Sequence, residues 1–131
     1  MMTVELTMLF WAVVLTFAQL LVAVLLAIGQ LGLTELTGNR EGLAPPSEMA
    51  GRAKRAHANM LESLVLFAIL ILVVQVAGLN NEMTALGAQI FVFARLVYAV
   101  VYIVGVPWLR TVIWGISVVG MVMIALPILA A

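Results

Sequence analysis

The chain has 131 residues, of which 66% are hydrophobic and 9% charged; soluble domains carry about 25% charge, so this composition indicates an integral membrane protein. Six basic and six acidic residues cancel, which leaves nothing to attract nucleic acid. With no cysteine and a single histidine, disulfides, thiolate nucleophiles and zinc sites are excluded, and no metal is expected.

The first apolar run covers about residues 6–28, with Thr7, Thr16 and Gln19 its only polar side chains. Its length, roughly 35 Å as a helix, crosses a bilayer with some tilt. No basic segment precedes it and the run is too long for a signal peptide, so it reads as a retained span. Gly29, Gly32, Gly38 and Gly42, followed by Pro45 and Pro46, mark a polar loop. Ser47 is placed to cap a second helix over about 48–77, with Glu48 in its first turn. A tight turn at 78–82 leads to a third helix over about 84–104, with Thr84 a candidate cap. Gly105 and Pro107 force a fourth helix, about 108–126, to return beside the third. The fold class is an all-α membrane protein: one domain, residues 1–131, built as a four-helix up-and-down bundle with both termini on one side.

Basic residues orient the bundle. Arg40, Arg52, Lys54 and Arg55 lie in or after the first loop and Arg110 follows the third, whereas the termini and the 78–82 turn carry none. The positive-inside rule places the basic loops in the cytoplasm and the termini outside. Trp11 and Trp108 suit the two interfacial belts.

The chemistry concentrates on two helices. At about 100° per residue, Arg52, Arg55, Asn59 and Glu62 fall within an arc of roughly 80° on the second helix. Arg95, Tyr98 and Tyr102 form a comparable stripe on the third. Ionisable residues inside a membrane segment are costly and mark a site facing protein or a wet cavity. Glu62 and Arg95 each lie about 15 Å from the inner ends of their antiparallel helices. That spacing predicts three rungs: Glu62 with Arg95, Asn59 with Tyr98, and Arg55 with Tyr102. Arg110 closes the mouth near Arg52. Guanidiniums at the mouth suit carboxylates, a deeper acid suits an ammonium, and tyrosine and asparagine suit an amide backbone. A small zwitterionic peptide or amino-acid-like anion fits that set, and an arginine beside a bound thiol favours its thiolate. His57, about 160° around the helix from Arg55, reads as an interhelical hydrogen-bonding group.

Arg-Ala-His-Ala-Asn-Met-Leu-Glu (55–62), Ala-Arg-Leu-Val-Tyr-Ala-Val-Val-Tyr (94–102) and Leu-Arg-Thr (109–111) together resemble the MAPEG family, membrane-associated proteins in eicosanoid and glutathione metabolism. The resemblance extends over nearly the whole chain in helix count and loop lengths. It implies a homotrimer of four-helix subunits in a membrane, here the inner membrane of a bacterium, with glutathione bound as co-substrate between subunits near the cytoplasmic side. By motif, Arg55, Asn59, Glu62, Arg95, Tyr98 and Tyr102 look like the glutathione contacts, and Arg110, with Tyr102, like the catalytic pair nearest the thiolate. The implied activity is a glutathione transferase or peroxidase acting on lipophilic electrophiles or hydroperoxides. Two positions depart from the pattern. Gln30 stands where enzymes of the family often carry a basic residue, and Ser63 where some carry an aromatic.

Two other readings compete. One is a non-catalytic membrane protein that binds glutathione or lipid. The other is a small four-span transporter, a class that uses a buried acid in its first span; Glu5 lies at the very end of that span.

Overall fold

The computed structural model describes residues 1–131 and is helical, without strands: α1 (Val4–Leu31), α2 (Leu33–Thr37), α3 (Glu48–Ala77), α4 (Glu82–Val104) and α5 (Pro107–Ala130). Four of these, α1, α3, α4 and α5, are long and apolar enough to cross a membrane.

Each helix end has a local cause. Thr3 caps α1, its hydroxyl accepting from the Leu6 N–H, so the helix starts before the predicted span. It also runs further, to Gly32, whose φ of 86° ends it. The next five residues form the short helix α2, inside what the sequence presents as loop. Ser47 caps α3 by accepting from the Ala50 N–H at 3.2 Å. Gly78, at φ 68°, closes α3 in the left-handed conformation. The cap of α4 is Asn81, not Thr84: Asn81 Oδ1 accepts from the Thr84 N–H, and Thr84 Oγ1 accepts in return from the Asn81 N–H, both at 2.9 Å. This is a reciprocal capping box, which the sequence reading placed three residues late. Pro107 starts α5, where its missing N–H costs nothing.

Two hydrogen bonds tie α1 to its neighbours at the end of the bundle that holds the N-terminus, the terminal end. Thr3 Oγ1 donates to Gln75 Oε1 on α3 (3.0 Å), and Thr84 Oγ1 on α4 donates to Glu5 Oε1 (2.5 Å). Glu5 is only 3% exposed. At the opposite, loop end, Gln30 Nε2 donates to Pro45 O (2.7 Å) and Gln30 Oε1 accepts from the Ser47 N–H, drawing the start of α3 against α1. Arg52 Nε donates to Ile103 O (2.8 Å), a cation on the carbonyl end of α4.

Between these ties, Met60, Phe67 and Ile71 of α3 pack on Phe91 and Val92 of α4, with Ala12 and Ile124 closing the cluster. Phe67 and Phe91 stack with centroids 4.0 Å apart. The closest helix crossing is α4 on α5. A Cβ on Gly87 would lie 2.6 Å from Gly120 O, and one on Gly120 would lie 2.6 Å from Gly87 O, so both positions require glycine. Small residues allow such approaches between membrane helices, where lipid offers no hydrophobic drive for association. Many of the other leucines, valines and phenylalanines face outward, as a bilayer permits.

Candidate functional site

The polar residues form one ladder in the loop half of the bundle. Arg95 Nη2 donates to Asn59 Oδ1 at 2.8 Å, joining α4 to α3. The Arg95 guanidinium carbon lies 4.1 Å from the centre of the Tyr98 ring. Tyr98 meets Tyr102 edge to face at 5.6 Å, and the Arg110 guanidinium from α5 lies over Tyr102 at 4.6 Å. Cations over aromatic faces are attracted by the ring quadrupole, more strongly when desolvated. Asn59, Arg95, Tyr98, Tyr102 and Arg110 therefore descend as a continuous chain of contacts towards the loop end.

The rungs differ from those predicted. Glu62 is exposed and forms no ion pair with Arg95; Arg52–Glu48 is the one ion pair in the chain. Asn59, not Glu62, comes level with Arg95, and the Arg95 guanidinium bonds it. Glu62, three residues further along α3, is turned away from the core. The Arg52 side chain reaches both Ile103 O and Gly105 at the end of α4. Arg55 does not meet Tyr102 either. It is exposed, with its guanidinium lying back along α3, Nη1 3.2 Å from where a Gly51 Cβ would sit.

The asparagine acquires a direction from this arrangement. With Oδ1 accepting from Arg95, the Asn59 amide nitrogen is left to donate, so the group it serves must be an acceptor, a carboxylate or an amide carbonyl. Arg95 itself is 1% exposed and enclosed by its own chain. Its Nε and Nη1 have no partner. Tyr102 and Arg110, nearer the loop end, are half-buried.

Two more residues belong to this region. Arg52, the first residue of the α3 stripe, caps α4 and packs on Gly105. Gln19 on α1 is 6% exposed, and neither end of its amide has a partner. Its only signal in the sequence is that it is a lone amide deep in an apolar span. No group of three His, Asp or Glu side chains lies close enough to hold a metal.

The family model described as "MAPEG family" matches residues 8–130, which is nearly the full length and takes in every residue of the ladder. The chain belongs to the MAPEG family. No curated protein and no solved structure matches it significantly. In this MAPEG chain the two departures from the enzyme pattern have structural roles. Gln30 holds the Pro45–Ser47 strap. Ser63 is 8% exposed on the packing face of α3, turned from the side that presents Glu62.

Proposed function

We propose that this MAPEG protein binds glutathione in a cleft open to the cytoplasm and uses the bound thiolate in transfer to lipophilic electrophiles or in reduction of hydroperoxides. The observation that carries the reading is the ladder from Asn59 to Arg110, with Arg55 and Glu62 left uncommitted beside it. Arg55 suits a glutathione carboxylate, Glu62 its ammonium, and the free Asn59 amide nitrogen a peptide carbonyl. Arg95 and Tyr98 hold Asn59 and Tyr102 in place, and Arg110 and Tyr102 lie nearest the sulfur.

An exposed carboxylate at the middle of a membrane helix supports a further part of the reading. Acids at such a position cost about 2.5–3.5 kcal/mol against lipid, so a second copy covers the Glu62 face; the homotrimer that the family resemblance implies places the cleft there, between subunits. In transfer, the thiolate forms a sulfur–carbon bond as the leaving group departs with its electron pair. With a hydroperoxide, the sulfur attacks the distal oxygen, the O–O bond breaks and the alcohol leaves after taking a proton. A second glutathione thiol then converts the sulfenic acid to disulfide and water. Membrane lipid delivers the second substrate to the apolar side of the cleft.

The test is titration calorimetry with glutathione together with ultraviolet absorbance of the thiolate. A free thiol near pKa 8.5 is only a few per cent ionised at pH 7. Wild type is expected to raise that fraction, and Arg110→Ala to lower it about tenfold while keeping most of the affinity. Gln30, committed to the loop where enzymes of the family often carry a basic residue, favours a second reading, binding without turnover. Tight glutathione binding with no thiolate signal in wild type selects that reading.

A further inference from the structure

Two buried polar groups are unsatisfied in the bundle, and both lie at one depth. Gln19 has neither amide atom paired, and Arg95 has Nε and Nη1 free. The ties at the terminal end set their levels. Gln19 follows Thr3 on α1 by as many residues as Asn59 precedes Gln75 on α3, so both lie about 24 Å below the Thr3–Gln75 bond. Gln19 also lies as far below Glu5 as Tyr98 lies below Thr84 on α4, about 21 Å. Gln19 belongs to the buried face of α1 with Ala12 and Thr16. α1 packs on both α3 and α4, so this buried face lies at the depth where Asn59, Arg95 and Tyr98 meet.

We propose that Gln19 is the positioning partner of Arg95, and through it of the ligand-facing Asn59. Gln19 Oε1 accepts from the free edge of the guanidinium, directly or across one ordered water. The chemistry selects this pairing. Arg95 is a buried cation with no carboxylate within ion-pair distance, and a buried amide left unmade is less stable than an apolar side chain of the same size. Each group supplies what the other lacks. The consequence is directional: a guanidinium held at Nη1 keeps Nη2 on Asn59 Oδ1, and Asn59 then keeps its nitrogen turned outwards as a donor. This role rests on the proposed glutathione site, but the Gln19–Arg95 partnership is measurable without any ligand.

The experiment uses the full-length protein in detergent. In the absence of ligand, Gln19→Leu, Arg95→Met and the double variant form a thermal-melting cycle. Non-additive shifts are expected, and strict additivity overturns the partnership. Should Arg95→Met fail to fold, Gln19→Glu reads the same contact alone. A carboxylate beside Arg95 is expected to raise the melting temperature, whereas a fall means the guanidinium is out of reach and overturns the proposal. With glutathione, Gln19→Leu is expected to weaken binding about tenfold or more, and Gln19→Glu to restore most of it. A Gln19→Leu variant that binds like wild type overturns the positioning role. If the melting cycle is coupled but wild type binds no glutathione, the partnership stands and the glutathione reading falls.

Discussion

The two halves of the bundle handle polar groups in opposite ways. In the terminal half, Glu5, Thr84, Thr3, Gln75 and Asn81 are joined by hydrogen bonds within one chain, and none has an unpaired buried atom. In the loop half, Arg95 and Gln19 are buried with free donors and acceptors, while Arg55 and Glu62 are exposed on a membrane helix. A satisfied cluster is a finished piece of architecture. An unsatisfied one in the same low-dielectric setting has a partner still to come. Burial is similar in the two places, since Glu5 is as enclosed as Tyr98. The difference is whether the buried polar atoms are already paired.

Substitutions can break this contrast from either side. The largest effect is expected at the α4–α5 crossing. Gly120→Val puts side-chain atoms against Gly87 O and the Phe91 backbone, with an expected loss of about 1–3 kcal/mol. Unfolding in detergent measures it, and an unchanged melting temperature would mean the helices are further apart than described. Next comes Glu5→Leu, which removes a charge-assisted acceptor from Thr84 at an expected cost of about 1.5–3 kcal/mol. Glu5→Gln keeps an acceptor and should lose less than about half of that. Both variants should bind glutathione as wild type does once folded; weakened binding would erase the division between the halves.

Asn59→Asp gives the sharpest test of the loop half, because stability and binding should move in opposite directions. A carboxylate on Arg95 Nη2 supplies the missing counter-charge, so melting should rise or hold. The donor to the ligand is lost, so glutathione should bind about tenfold more weakly. Parallel changes in the two measurements would mean that Asn59 does not face the ligand. The smallest effect is expected for Arg52→Ala. It removes the cation from the end of α4 and should cost about 0.3–1 kcal/mol in thermal unfolding, diminishing with salt.

The sequence alone determined which stretches cross the membrane, because long apolar runs bounded by glycine, proline and a capping serine have few other uses. It also determined which polar residues share a face, since helical periodicity is a property of each segment by itself. The family likewise was legible in the motifs around Asn59, Glu62, Arg95 and Tyr102, and the match over residues 8–130 agrees. Only the tertiary structure decided which residues meet across helices. Periodicity sets rotation, but the offset of one helix along another depends on a few contacts far apart in sequence. Arg95 meets Asn59 and not Glu62. The Thr3–Gln75 and Glu5–Thr84 bonds brought Gln19 down to the same level. A lone glutamine in an apolar span carries no sign of its partner, because that partner lies on another helix and is chosen by packing.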